Sequence, residues 1–210
     1  MAKIMLIRHG ETEWNLEDIF RGQADIELNK TGIRQAGLLA KYLEDIPFEA
    51  IYSSPLKRAL KTAETIADLH GIKVTVAPEL TDFDYGKWQG LTLDKVKERY
   101  PQLYEEWLKN PQLTRMPNGE GLDNVSRRTT SMIDHVIAKH EGTFALVSHR
   151  VVNKVLICAL LGLDNSHFWN IRLGNCGITT FFYENERFVL EKHNDTSFLE
   201  GARTKKSSDF

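Results

Sequence analysis

The chain has 210 residues, of which 41% are hydrophobic and 27% charged, and its formal net charge is −2. That length suits one domain with a sizeable core, and the near-neutral balance excludes an overall field that would draw it onto nucleic acid or an anionic membrane. No window approaches the roughly 18 uninterrupted apolar residues of a membrane span. The opening apolar stretch, about four residues, falls short of the roughly 7–15 of a signal-peptide core. Two cysteines, Cys158 and Cys176, cannot make a disulfide scaffold, and no Cys-x-x-Cys occurs. A cytoplasmic protein with reduced thiols is the expectation.

In chain order, the apolar run 3–9 ends in Arg8-His9-Gly10 and predicts a buried strand opening into a loop. From Thr31, the residues Ile33, Ala36, Leu39, Ala40 and Leu43 recur at helical spacing. A short strand over 50–53 follows, then a helix over 56–70 with Pro55 near its first turn and Gly71 as its stop. Residues 72–76 alternate as a strand. Residues 79–120 are less regular, with helical stretches at 92–99 and on to Lys109, and the proline- and glycine-rich 111–121 reads as a loop. An amphipathic helix spans 125–140, a strand 143–149 and a helix 151–161. Two strands, 178–183 and 188–192, turn at Asn185. Strands alternating with helices predict an α/β three-layer sandwich, largely parallel, with one antiparallel edge strand. A single domain is expected over 1–203, with 204–210 as a frayed tail.

In such sheets, ligands gather beyond the carboxyl ends of the strands. Two strand ends stand out there, Arg8-His9 and Ser148-His149, which place both imidazoles on one rim. A neutral imidazole is a competent nucleophile near pH 7. Attack on a phosphate dianion needs cations nearby, and Arg8 offers a guanidinium fork matched to phosphate oxygens. Gly10 lets the backbone approach closely, and Asn15 can donate a further hydrogen bond or cap the next turn.

The segment Arg8-His9-Gly10-Glu11-Thr12-x-Trp14-Asn15 closely resembles the signature of the histidine phosphatase superfamily, in the branch that contains cofactor-dependent phosphoglycerate mutases. The resemblance continues in order. Phe20-Arg-Gly-Gln-Ala-Asp25 with Leu28 and Gly32, Tyr52-Ser-Ser-Pro-Leu-x-Arg58 with Thr62, and Leu80-x-x-x-Asp84-Tyr-Gly86-x-Trp88-x-Gly90 look like the next three blocks. Val147-Ser-His149 and Asn194-Asp-Thr-Ser-x-Leu199 resemble the last two, so the matched blocks run from about residue 3 to 199. The resemblance implies a phosphoglycerate mutase-like fold and a phosphoric monoester hydrolase acting on small phosphorylated metabolites. His9 would attack phosphorus and carry the phosphoryl group as a covalent phosphohistidine. Arg8, Arg58, His149 and Asn15 would bind the phosphate, with His149 also catalytic, and neither a cofactor nor a metal would be needed.

Three departures from the family pattern matter. The general acid there is usually a glutamate two residues before the Asp-x-Gly; here it is Asp82, one methylene shorter, with Asp84 as the fallback. The position before Gly22 often holds glutamine or threonine and here holds Arg21. The residue after the second histidine is usually small and here is Arg150. Arg21 and Arg150, together with Gln23, are therefore the candidate specificity residues, and the arginines would favour a second anionic group such as a carboxylate. The compact stretch after the fourth block favours hydrolysis over a phosphoglycerate mutase-type transfer, and the retained histidines and arginines argue against a non-catalytic phospho-ligand binder. The expected partner is a small phosphoester, with no nucleic acid and no membrane; an exposed sheet edge leaves room for a homodimer. Phosphoserine, α-ribazole phosphate and sugar phosphates all remain open as substrates.

Overall fold

A computed structural model describes residues 1–200, so the expected tail at 204–210 lies outside the described residues. Six strands form one sheet: β1 (Ala2–Arg8), β2 (Phe48–Ser53), β3 (Val74–Val76), β4 (Thr143–Ser148), β5 (Ile178–Glu184) and β6 (Arg187–Asp195), in the order β3-β2-β4-β1-β5-β6. The first four run parallel, while β5 pairs antiparallel with both β1 and β6. The hairpin does occupy an edge, but the strand that runs against the others is β5, one place in, with β6 outside it. Asn185 and Glu186 turn the hairpin with φ of 49° and 58°, a pair of left-handed residues that suits the twist of a tight hairpin.

Alternation along the central strands builds the layers. Ile4 and Leu6 of β1 and Phe144 and Leu146 of β4 join one apolar cluster, whereas Met5, Ile7, Ala145 and Val147 join another. The second cluster is covered by α2 (Lys30–Tyr42) and α3 (Lys57–His70), and the first by α4 (Leu93–Arg99), α5 (Pro101–Lys109), α6 (Leu122–Lys139) and α7 (Arg150–Leu160). A short helix α1 (Glu13–Leu16) follows β1; it was not legible in the periodicity because one turn has no period. Fully buried Ile4, Ile7, Ile51 and Leu146 each contribute about 1.5–3 kcal/mol by leaving water. Trp88, Trp107 and Phe168 belong to the first cluster, each at most 1% exposed, and partly buried Trp169 packs against it.

Local differences from the expected elements have plain causes. Pro55 lies before α3 and outside it, because Leu56 is the cap. Gly71 ends α3 with φ of 63°, donating its N–H to the Ala67 carbonyl. Ile33 is 55% exposed instead of facing the core. The buried side of α2 includes Gly32 and Gln35 here, which brace the loop after β1, so Ile33 turns outward beside Leu28 and Leu60. Cys158 and Cys176 are buried and unbridged, and burial raises their thiols to about 11 and about 12.

Candidate active site

Register places the site. In the parallel β1–β4 pair, Arg8 stands opposite Ser148, so His9 and His149 leave neighbouring strands at one level. Their ring centroids are 5.2 Å apart, close to the spacing of adjacent strands. On the other side of β4, Ser53 pairs with Val147, which brings Ser54 to the same rim, where its hydroxyl meets His149 Nε2 at 2.8 Å. The loop that carries His9 is pinned from beneath. A side chain on Gly32 would lie 2.1 Å from the Glu11 carbonyl oxygen, so α2 can pass this close only with glycine there. Gln35 accepts from the Glu11 N–H at 2.9 Å, and Asn29 donates to the Glu11 carboxylate at 2.8 Å.

His9 is 1% exposed, and its Nδ1 lies 2.6 Å from the Gly10 carbonyl oxygen. A carbonyl only accepts, so Nδ1 carries the proton and the lone pair of the neutral ring sits on Nε2. Burial, then the charges of Arg58, His149, Arg8 and Arg21, hold the His9 pKa well below 6.5. His149 is likewise held well below 6.5 by burial and then by Arg58, Arg21, Arg128 and Arg8. It is the N-cap of α7, whose amino-terminal dipole also disfavours a cation there.

Arg58 is fully buried in the first turn of α3, where a solvated surface arginine would have been the bland outcome. It donates to the Gly22 and Ala24 carbonyls at 2.8 and 2.7 Å and to Asp82 Oδ2 at 2.9 Å. Its Nε is a donor buried with no hydrogen-bond partner among the described residues. A buried donor left over in this way marks where an anion belongs. Arg8 donates to the Leu173 carbonyl at 2.6 Å. Asn15 accepts from both the N–H and the hydroxyl of Thr12 at 2.9 Å, so it caps α1 with its oxygen and keeps its amide nitrogen as the donating end.

Asp82 lines the same narrow cleft as His9, with Arg21, Tyr85, Arg150 and Val151. Its Oδ1 accepts from the Phe83 N–H at 2.9 Å, and its Oδ2 lies 3.6 Å from His149 Nδ1. Asp84 is not in the cleft. Its carboxylate accepts from the Gly86 N–H at 2.8 Å and shapes the turn. Gln23 is exposed, and its amide donates to the Asp82 backbone carbonyl at 3.3 Å without lining the cleft. Sequence reasoning gave no role to Ser54 and Tyr85, although both sit inside blocks it singled out. It missed Arg128 altogether, which pairs with Glu120 at 3.1 Å and reaches the Asp82 carbonyl at 3.5 Å. On an amphipathic helix, nothing in the pattern separates Arg128 from a solvated charge.

The two buried neutral histidines should make the protein acid-sensitive. Each folded pKa lies below the unfolded value of about 6.5, so below that pH the unfolded chain binds protons that the folded one refuses. Stability is complete above the unfolded value and falls as pH drops toward the folded values. The slope approaches at most about 1.4 kcal/mol per pH unit per histidine. Urea unfolding across that range checks this. Saturating inorganic phosphate, which would favour the charged rings, should flatten the loss, and a level profile without phosphate would contradict neutral burial.

An α/β rim that sets a deprotonated imidazole nitrogen among guanidiniums and one carboxyl group defines an enzyme for phosphate esters. The chain belongs to the histidine phosphatase superfamily (branch 1), whose family model matches residues 4–196. It is 36% identical over 200 residues to phosphoserine phosphatase 1 of Hydrogenobacter thermophilus, covering 95% of each chain. It is 31% identical over 206 residues to a probable phosphoglycerate mutase, GpmB, of Yersinia pestis, covering 95% of this chain and 96% of that one. Among solved structures, the phosphoserine phosphatase of Entamoeba histolytica in complex with phosphoserine aligns with a TM-score of 0.84 and 33% identity, over 95% of this chain and 100% of that one. YhfR of Bacillus stearothermophilus aligns with a TM-score of 0.90 and 29% identity, over 95% and 100%. Among the described residues, no helix is long and apolar enough to cross a membrane, and no three His, Cys, Asp or Glu side chains gather as a metal site.

Proposed function

We propose that residues 1–203 act as one catalytic domain that hydrolyses monoesters of small phosphorylated metabolites through a phosphohistidine on His9. The observation that carries this reading is the 2.6 Å approach of His9 Nδ1 to the Gly10 carbonyl, which fixes the tautomer and aims the Nε2 lone pair into the cationic cleft. Arg8, Arg58, His149 and the Asn15 amide hold the phosphoryl oxygens. Nε2 attacks phosphorus in line; the P–N bond forms as the P–O ester bond breaks, and Asp82 gives its proton to the departing oxygen. Asp82 then takes a proton from water, which attacks phosphorus, breaks the P–N bond and frees inorganic phosphate. The cations that gather around the transferring group neutralise its charge, the task a metal performs in other phosphoryl-transfer enzymes. Buried, unbridged Cys158 and Cys176 fit a cytoplasmic setting.

Relatives named for phosphoserine, and a solved neighbour holding 3-phosphoglyceric acid, support small phosphorylated metabolites as the substrate class. The relative named as a probable phosphoglycerate mutase keeps phosphoryl transfer to a second hydroxyl as the other reading. Phosphate release from phosphoserine, phosphoglycerates, sugar phosphates, nucleotides and α-ribazole phosphate separates them. Release should proceed at the same rate with a chelator present, and 2,3-bisphosphoglycerate should not stimulate conversion of 3-phosphoglycerate to its isomer. Isomerisation that outpaces phosphate release would overturn hydrolysis.

A further inference from the structure

We propose that Arg128 is a positioning residue: together with Glu120 it clamps the backbone of residues 79–84 and so sets the reach of Asp82 toward the leaving oxygen. This rests on the reading of Asp82 as the proton donor and adds the device that holds it. The guanidinium of Arg128 leaves α6 and donates from NH1 to the Glu79 carbonyl, while its NH2 reaches the Asp82 carbonyl at 3.5 Å and Glu120 Oε1 at 3.1 Å. The same Glu120 oxygen accepts from the Asp84 N–H at 2.9 Å, and the Glu120 N–H donates to the Asp84 carbonyl at 3.1 Å. One ion pair therefore grips the chain before, at and after Asp82. Between these points, the Ser148 hydroxyl donates to the Leu80 carbonyl at 2.8 Å.

The clamp matters because the Asp82 side chain is short and already held. Arg58 and the Phe83 N–H each engage one of its oxygens at 2.9 Å. Its distance from a bound ester is therefore decided by where the backbone lies, and proton transfer needs heavy-atom separations of about 2.6–3.2 Å. Residues 81–85 belong to no helix or strand, so no ladder of backbone bonds fixes them. Arg128 supplies that constraint from a rigid element. It falls on the flank of α6 that includes buried Val125, Thr129 and Met132, and its side chain is 22% exposed. Arg127, next to it, is 75% exposed and pairs with Asp123 on the solvated flank. Water screens the half-buried Arg128–Glu120 pair less than such a surface pair. A planar guanidinium also presents donors to three acceptors at fixed angles, which a single ammonium cannot span.

Two esters and a double-mutant cycle test the clamp. Arg128→Ala should lower kcat on phosphoserine about 10–100-fold, the cost of misplacing a reacting group by about 1 Å. Formation of the phosphoenzyme from p-nitrophenyl phosphate, whose leaving group hardly needs the proton, should slow far less, and KM for both esters should stay close to that of the natural enzyme. Arg128→Lys should recover part of the loss, and Arg127→Ala should leave both rates unaltered. In Asp82→Asn protein, Arg128→Ala should slow phosphoserine by less than about twofold more, because a positioning residue has no effect once the group it positions is gone. A merely structural role would slow both esters together or add its loss undiminished to that of Asp82→Asn, and either result would overturn the clamp. So would a raised KM with an unchanged ratio of alkyl to aryl rates, which would assign Arg128 to phosphate binding. Unfolding midpoints are measured alongside, and if Arg128→Ala does not fold, Arg128→Lys carries the same ratio and the same cycle. If Asp82→Asn itself fails to separate the two esters, the reading of Asp82 falls and the clamp with it. Separation in Asp82→Asn without any in the Arg128 variants overturns the clamp alone.

Discussion

Replacing His9 by alanine should lower kcat on every phosphomonoester by at least about 10⁴-fold, the scale on which loss of a covalent nucleophile acts. No neighbouring group can substitute. The second imidazole is 5.2 Å away by ring centroids, its Nε2 is taken by Ser54, and its Nδ1 faces Asp82. His149→Ala should also be impaired but should still form a phosphoenzyme slowly, because it removes a stabilising donor and not the atom that bonds phosphorus. Rapid quench with radiolabelled substrate distinguishes them: a base-stable, acid-labile label should appear in the natural enzyme and in His149→Ala and be missing from His9→Ala. A small loss in stability is expected from the vanished bond to Gly10, so the unfolding midpoint belongs beside the kinetics. Near-normal turnover by His9→Ala would remove the nucleophile from the mechanism.

The place of His9 on the rim could be foreseen because the information was local. Arg8-His9-Gly10 ends an apolar run, and a strand end in a parallel sheet is where a ligand-binding side chain belongs. Arg58, Asp82 and His149 needed the ordered blocks, since the contacts among them join α3, the segment after β3 and the end of β4, far apart in the chain. No spacing rule reports that Arg58 NH2 lies 2.9 Å from Asp82. Long elements with a clear period, such as α6 and β1, were legible to within a few residues, whereas α1 and the direction of β5 were not. A strand's apolar pattern says which faces are buried but not which way the strand runs beside its neighbour. Ile33 failed for a related reason: the helical period was right, but the close approach of Gly32 to Glu11 decided which flank of α2 turned inward.

Arg21 and Arg150 illustrate a different limit. Their identities marked them as departures, but whether they faced solvent or the cleft depended on the path of two loops. Folding places both in the cleft wall, where the Trp14 carbonyl braces Arg21.

Asp82→Asn should separate the leaving groups. The amide oxygen can keep one of the two contacts at 2.9 Å that Arg58 and the Phe83 N–H make to the two carboxylate oxygens, but the amide has no acidic proton to give to an alkoxide. Alkyl phosphates should slow by about 10²–10⁴-fold, the usual contribution of a positioned general acid. p-Nitrophenyl phosphate, whose phenolate departs with little help, should phosphorylate His9 at a rate reduced far less. Hydrolysis of the phosphoenzyme also loses its base, so this substrate should show a burst followed by a slow steady state, which stopped-flow absorbance reads directly. Asp84→Asn should leave the ratio of alkyl to aryl rates unchanged, since Asp84 stands outside the cleft and serves the Gly86 turn. Equal losses on alkyl and aryl esters in Asp82→Asn would mean that this carboxyl merely holds Arg58, and a selective alkyl loss in Asp84→Asn would move the acid two residues along the chain.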